Sequence, residues 1–275
     1  MQLDQAWNTG FPQLYHYQPF DEERLSRTIL GKELFFSNPA GFNDPWDCKP
    51  HYDSEAVIDA VRREEHIEEY VRITRIHGPN LLEAEVQRRA SIYRENPAFF
   101  KSTIDDFSVG FSEALAQRYR VYCLSTHPDS ELMWAHYSTQ HTGICLEFTA
   151  RSTLCSSAYK VSYLRHYPAF DFAETRGPAT LMVMLTKSKA WKYESEYRLI
   201  ADEKRFADPA SDVLIANDHF VALPDETLKA IILGCLAPLS TLDKLRALIK
   251  KAPYPIELKR VVKMRNQYKL QVARA

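Results

Sequence analysis

The chain has 275 residues, of which 45% are hydrophobic and 26% charged, and its formal net charge is −1 at pH 7. This is the composition of an ordinary globular protein, and it excludes a low-complexity chain. A chain of this length buries roughly three quarters of its unfolded surface, so it can form a core without cross-links. We expect a single domain over residues 1–275.

The charges are unevenly placed along the chain. Residues 1–60 hold ten acidic and four basic side chains, whereas residues 244–275 hold ten basic side chains and one acid. Such asymmetry is typical of a face that binds nucleic acid or phosphate. It is equally typical of two chain ends that pack near each other and offset their charges.

The cysteines and the apolar runs exclude further classes. The five cysteines are widely spaced and form no Cys-x-x-Cys pair, which argues against a disulfide framework or a thiolate zinc site. We therefore expect no structural metal. The chain starts without a basic and apolar leader, and runs such as 180–186 are too short to span a membrane. These features predict a cytoplasmic protein with no membrane partner.

In chain order, the first predicted elements are a strand, a helix and a strand. The aromatic run Leu14–Tyr17 favours a strand. Asp21 can cap the following helix, which Gly31 ends, and Leu34–Ser37 favours the second strand. Residues 54–118 carry apolar positions at roughly helical spacing with balanced charges, so they predict a helical insert.

The rest of the chain mixes strands with short helices. Further strands are predicted at Tyr119–Leu124, Ile144–Phe148, Tyr159–Tyr163, Trp191–Ile200, Phe220–Leu223 and Ala230–Gly234, followed by a hairpin of Ile256–Met264 and Tyr268–Val272. Helices are predicted at Asp129–Thr139, at Leu181–Lys189 and from Ser240 onward. Strands mixed irregularly with helices favour an α+β fold with a central mixed or antiparallel sheet.

The tract Trp191–Arg198 is the most informative stretch for function. On a strand, alternate residues share a face, so Glu194, Glu196 and Arg198 would form one row and the aromatic residues between them would face the core. Two aligned carboxylates can stabilise developing positive charge and orient a nucleophile. The alternative is a solvated strand face with glutamate–arginine pairing.

Two further stretches carry candidate site residues. On the predicted helix, Met133, His136 and Tyr137 lie on one side, and His136 could act as acid, base or ligand, or be a surface residue. The loop Asn43–Cys48 offers two carboxylates for a cation, although Asn-Asp-Pro is also ordinary turn chemistry. Dinucleotide, Walker, zinc-protease and nucleophile-elbow motifs are all absent.

Together these motifs resemble the bacterial domain-of-unknown-function family twenty-nine seventy-one, over roughly residues 12–273. The motifs are Tyr15–Tyr17, Phe36–Pro39, Phe42–Asp47, Leu124–Ser125, Met133–Tyr137, His141–Gly143, Lys189–Arg198 and Ile231–Gly234. The family name implies no activity.

The Glu-x-Glu tract, with the first two strands, also resembles the layout of ADP-ribosyltransferases. That resemblance implies that Glu196 is catalytic, stabilising the oxocarbenium-like ribose as nicotinamide leaves, and that Glu194 orients the acceptor. It implies that His16 and Ser37 bind NAD, the substrate. The other NAD contacts that it implies are Tyr17, Asn43, Trp134, His136, Tyr137 and Arg198.

Three functional hypotheses follow. The first is an ADP-ribosyltransferase-like enzyme, a toxin or phage-defence effector, acting on a nucleic acid or protein acceptor. The second is a metal-dependent nuclease or phosphoesterase, with the basic C-terminal segment along the phosphate backbone. Its ligands would be Asp44, Asp47, Glu194 and Glu196, with Lys189. The third is a non-catalytic binding module in which the charged row is a structural ion-pair ladder.

Overall fold

In the computed structural model, residues 4–6, 10–172, 179–204 and 214–275 are described. The strands are β1 (Gln13–Gln18), β2 (Glu33–Phe35), β3 (His51–Tyr52), β4 (Tyr119–Ser125), β5 (Ile144–Thr149), β6 (Tyr159–Lys160), β7 (Ser162–Leu164), β8 (Ala169–Phe170), β9 (Thr186–Ser188), β10 (Glu196–Glu203), β11 (Leu214–Ala216), β12 (Phe220–Ala222), β13 (Leu228–Leu233), β14 (Glu257–Lys263) and β15 (Leu270–Arg274). The helices are α1 (Glu22–Leu30), α2 (Ala60–His77), α3 (Glu83–Glu95), α4 (Pro97–Arg118), α5 (Glu131–Tyr137), α6 (Thr153–Ser156), α7 (Ala179–Met184) and α8 (Leu239–Ile249). Short 3-10 helices lie at Pro39–Gly41, Ser54–Ile58 and Lys189–Glu194.

The chain divides into two compact units, and the first is built on the large sheet. This unit comprises residues 1–41, 117–163 and 189–275. Its strands follow the order β11-β10-β4-β1-β5-β13-β14-β15, with β6 paired to β10. The β10–β11 and β13–β14 pairs are parallel and the other pairs are antiparallel. The predicted α+β class with a mixed, mainly antiparallel sheet is confirmed.

Both faces of this sheet are covered by apolar side chains. On one face, Leu14 of β1 and Leu199 of β10 belong to a large aliphatic core that includes Leu25 of α1 and Leu245 of α8. On the other face, Tyr17, Trp134 of α5, Ile232 and Val261 form a smaller core. Alternate residues of a strand point to opposite faces, and this explains why the strands β4, β5, β10 and β13 are largely buried.

The second unit comprises residues 42–116 and 164–188. The helices α2, α3 and α4 occupy the segment predicted as a helical insert, and α2 ends at His77, next to the predicted break. Its core is rich in aromatic rings, among them Tyr52, Tyr93, Phe100 and Phe172. The short strands β3 and β8 pair in parallel within this unit.

Two of the predicted elements near the charged tract are wrong. Leu181–Lys189, predicted as one helix, is instead α7 followed by β9. Trp191–Ile200, predicted as one strand, begins as a 3-10 helix and becomes strand β10 only at Glu196. The break between them is Ser195, whose φ of 46° is left-handed and ends the helical turn. A non-glycine residue rarely adopts this conformation, so the sequence does not reveal it.

Among the residues described, no helix combines the length and the apolar character needed to cross a membrane.

Candidate functional site

The candidate site lies in the first unit, where the 3-10 helix Lys189–Glu194 turns into β10. The turn is held by Ser125 at the end of the neighbouring strand β4. The Ser125 hydroxyl donates to the carbonyl of Glu194 at 2.7 Å. One residue beyond the turn, the Glu196 backbone N–H donates to the hydroxyl of Tyr163 at 2.8 Å. These contacts fix the positions of two successive buried carboxylates.

Glu196 and Arg198 form a buried ion pair on one face of β10. Arg198 Nε donates to Glu196 Oε1 at 2.7 Å, and a terminal guanidinium nitrogen donates to Oε2 at 3.0 Å. Arg198 is fully buried and Glu196 is 4% exposed. The two residues are two positions apart on a strand, so their side chains share a face as predicted. A bidentate pair of this kind offsets the charge of the carboxylate and fixes its orientation.

Glu194 is the second buried carboxylate, and it contacts a different element. Its Oε1 accepts a hydrogen bond from the hydroxyl of Tyr137, the last residue of α5, at 2.5 Å. Glu194 is 2% exposed, whereas Tyr137 is half-buried. Fifty-seven residues separate the two positions in the chain, and the fold brings them together.

The ring of Tyr137 belongs to a group of neighbouring aromatic rings and lies 6.3 Å from that of His136. The ring of His136 lies 6.5 Å from Trp191 and 6.3 Å from Tyr193, measured between centroids. Trp191 and Tyr193 lie 6.0 Å apart. His136 is exposed and both of its aromatic neighbours are half-buried. The group therefore combines a buried carboxylate with partly exposed rings that could stack on a planar ligand.

Glu194, Glu196 and Arg198 were predicted to form one row on a strand face. This prediction is wrong for Glu194. Glu194 lies in the 3-10 helix, so strand alternation does not relate it to Glu196. The predicted inward position of the aromatic residues is confirmed for Tyr197, which is buried in the large core. Tyr193 instead packs on the smaller core of the other sheet face.

His16 and Ser37, predicted as NAD contacts, take part in packing and pairing. His16 Nδ1 lies 2.7 Å from the carbonyl oxygen of Cys123, and its ring stacks on Tyr122 at 4.0 Å. Tyr122 belongs to the large core. Ser37 forms a backbone bridge to Val121. Strand alternation and the pairing through Ser125 place His16 and Glu196 on opposite faces of the sheet.

Tyr17 and Trp134 direct their polar atoms to backbone groups. The Tyr17 hydroxyl donates to the carbonyl of His127 at 2.6 Å, and Trp134 Nε1 donates to the carbonyl of Pro128 at 2.8 Å. Their rings meet edge to face at 5.2 Å. Asn43 belongs to the second unit. The residues predicted to bind NAD are thus divided between two sheet faces and two units, and their role stays a prediction.

Burial lowers the pKa of His16 from 6.5 to about 4, because the imidazolium is poorly solvated there. The unfolded chain therefore binds a proton between about pH 6.5 and pH 4 that the folded protein does not bind. We expect the free energy of unfolding to fall as the pH is lowered through this window, by up to about 3 kcal/mol. Urea unfolding of the wild type and of His16→Gln at several pH values measures this. An equal slope for both proteins would contradict it.

Sequence reasoning missed Ser125 and Tyr163 as residues that hold the turn. The sequence signal for Ser125 was its place in the Leu124–Ser125 motif of the family resemblance, which reveals no contact; in the structure its hydroxyl also accepts a hydrogen bond from the His127 backbone N–H at 3.2 Å. Side-chain contacts across paired strands depend on the register, which a single sequence does not contain.

Within the described ranges, no group of three or more histidine, cysteine or acidic side chains is placed to hold a metal ion. Asp44 and Asp47 belong to the second unit, whereas Glu194, Glu196 and Lys189 belong to the first. The metal-dependent nuclease stays a prediction.

The protein thus has an α+β fold and a candidate site with two buried carboxylates at the start of one sheet strand. A family model described as "Protein of unknown function (DUF2971)" matches residues 133–199. The matched segment runs from α5 into β10 and contains the site residues Tyr137, Glu194, Glu196 and Arg198. The match therefore supports the family resemblance over the part of the chain that forms the candidate site. No curated protein and no solved structure matches the chain. The comparisons give no support to the resemblance to ADP-ribosyltransferases.

Proposed function

We propose that this protein consumes NAD and transfers its ADP-ribosyl group to a nucleic acid or protein acceptor. The observation that carries the proposal is the hydrogen bond from the Tyr137 hydroxyl to the buried Glu194 carboxylate, beside the rings of His136 and Trp191. A carboxylate in a fixed position next to a surface for planar rings is what cleavage of a ribosyl–nicotinamide bond requires.

In this reaction the bond between the ribose C1′ and the nicotinamide nitrogen breaks, and its electron pair leaves with nicotinamide. Positive charge then develops on the ribose ring until the acceptor bonds to C1′ and loses its proton. A carboxylate held close to that ring stabilises the charge without reorganising. In the proposal, Glu194 has this role and the Tyr137 hydroxyl holds Glu194 in position.

Glu196 has a different role in the proposal. Because Arg198 binds both of its oxygens, much of its charge is already compensated. We assign it the task of positioning β10 and the turn at Ser195. The proposal thus moves the catalytic role from Glu196, to which the resemblance assigned it, to Glu194.

The direct test is nicotinamide release from NAD by the purified protein, with and without RNA, DNA or cell lysate as acceptor. Removing one preorganised charge typically lowers turnover by about 10²–10³-fold, and we expect this for Glu194→Gln. Tyr137→Phe keeps the ring and removes only the hydrogen bond to the carboxylate, so we expect a loss of about tenfold. Glu23→Gln, on the exposed face of α1, is the matched control and should keep full activity.

Two outcomes would contradict the proposal. One is full activity in Glu194→Gln, provided that its circular dichroism spectrum matches the wild type. The other is no nicotinamide release with any acceptor. A toxin or phage-defence role adds a cellular prediction: expression of the wild type should slow growth, and Glu194→Gln should relieve the effect.

A further inference from the structure

The second unit contains a cavity of about 300 Å³. Its walls come from residues 46–49, 164–170 and 183–188. Ligand pockets range from about 300 to 1,000 Å³, so this one suits a ligand of mononucleotide size and is too small for a dinucleotide such as NAD.

One wall of the cavity is aromatic. It is lined by Trp46, Tyr167 and Phe170. Trp46 is 57% exposed, which leaves a large flat apolar surface in contact with water. Asp44 sets its position by accepting a hydrogen bond from the Trp46 backbone N–H at 3.0 Å. Such a ring, held by its backbone and open to solvent, can stack on a planar base.

The wall is also rigidly connected. The Tyr167 hydroxyl donates to the backbone carbonyl of Lys49, which ties the two loops together. The Tyr167 ring stacks on His51 at 5.7 Å, and β3, which starts at His51, pairs with β8 through Ala169. These contacts connect the two loops that carry Trp46 and Tyr167.

The cavity is also lined by basic residues. Lys49, Arg165, His166 and Lys187 all line the cavity, and no described lining residue is acidic. Lys187 is buried and lies 3.5 Å from Asp47. Lys49 and Arg165 are exposed, and in the described part of the chain neither has an acidic partner within salt-bridge distance. Two exposed cations that have no acidic partner among the described residues, beside an open aromatic wall, favour an anionic ligand.

We propose that this cavity binds a free mononucleotide, with the base on Trp46 and the phosphate between Lys49 and Arg165. The two features specify two different parts of one ligand: a planar ring and a phosphate group. Arginine suits the phosphate because its guanidinium presents paired donors. The lining residues belong to the second unit, and neither Glu194 nor Glu196 is among them.

Isothermal titration with AMP, GMP, CMP and UMP tests the proposal, with adenosine, ribose 5-phosphate and inorganic phosphate as fragments. We expect at least one nucleotide to bind, and its fragments to bind more weakly by about tenfold or more, because each lacks one of the two contacts. Affinity should fall as salt is raised, because the lysine and the arginine are exposed.

Variants of the lining residues test whether the nucleotide binds in this cavity. Trp46→Ala should weaken it by about tenfold, and Lys49→Gln with Arg165→Gln should weaken it and reduce its salt dependence. The matched controls are Phe99→Ala and Lys251→Gln, which alter an exposed ring and an exposed lysine outside the cavity. Glu194→Gln should bind nucleotide normally, so that loss of the proposed NAD reaction leaves this result unchanged.

The inference is overturned if none of the four nucleotides binds at millimolar concentration. It is also overturned if inorganic phosphate binds as tightly as the nucleotides, or if Trp46→Ala and the cation variants bind like the wild type. Binding of a 5′-phosphorylated oligonucleotide without binding of free nucleotides would replace it with a nucleic-acid end site.

Discussion

Replacing Arg198 with methionine is expected to lower the free energy of unfolding by about 3–5 kcal/mol. The substitution removes two charge-assisted hydrogen bonds, at 2.7 and 3.0 Å, from the buried Glu196 carboxylate. A carboxylate that loses its cation in a buried site keeps its desolvation cost without the compensating attraction. Arg198→Lys keeps the positive charge but not the planar fork, so its loss should be intermediate.

Urea unfolding of Arg198→Met, Glu196→Gln and the double variant measures the coupling between the pair. Since neutralising Glu196 removes the unpaired charge, the double variant should be less destabilised than the sum of the single variants. The matched control is Arg88→Met, which breaks an exposed pair with Glu85 on α3. Exposed pairs contribute about 0–1 kcal/mol, so the control should unfold nearly like the wild type. Strict additivity of the two buried substitutions would contradict the coupling.

The site shows where sequence patterns succeed. Alternation along a strand placed Glu196 and Arg198 on one face and Tyr197 in the core, because this geometry depends only on the local backbone. The same reasoning failed two residues earlier. Ser195 has a left-handed φ, which a serine does not indicate in a sequence. The position of Glu194 relative to the strand could therefore not be predicted.

The helix α5 shows a similar limit. Its spacing relates Met133, His136 and Tyr137 to one another, but it does not reveal how deeply each is buried: the structure buries Met133 and Trp134 and leaves His136 exposed. A short helix without a sharp polar face can be rotated either way by its tertiary contacts. Here the edge-to-face contact of Trp134 with Tyr17 decides the orientation.

The elements themselves were more predictable than their arrangement. The caps at Asp21 and Gly31, the helices of residues 54–118 and the C-terminal hairpin follow from local signals. The strand order does not. β1 lies between β4 and β5, and this pairing joins segments that are more than a hundred residues apart in the chain. Such contacts depend on the whole core, as does the meeting of Tyr137 with Glu194.

The loop between α5 and β5 supplies the second large expected effect. Thr139, Gln140 and His141 have φ values of 48°, 51° and 69°. Left-handed backbone costs roughly 1–2 kcal/mol for each such residue, so this loop persists only because surrounding contacts hold it. Two of those contacts come from the end of β13: Gly234 N–H donates to the Gly143 carbonyl, and Leu236 N–H donates to the His141 carbonyl, both at 3.0 Å.

Gly234→Ala is therefore expected to destabilise the protein by roughly 3 kcal/mol or more, at the upper end of overpacking effects. A Cβ at position 234 would lie 2.1 Å from the His141 carbonyl oxygen. This atom is backbone, so it can move only by breaking the hydrogen bonds that hold the strained loop.

The control is Gly110→Ala in α4, where a Cβ meets nothing within 4 Å. Alanine there should stabilise the protein by about 0.5–1 kcal/mol, since glycine is a poor helix former. Thermal and urea unfolding of both variants should thus shift in opposite directions. A change below about 1 kcal/mol in Gly234→Ala would mean that the loop can leave its left-handed conformation at little cost.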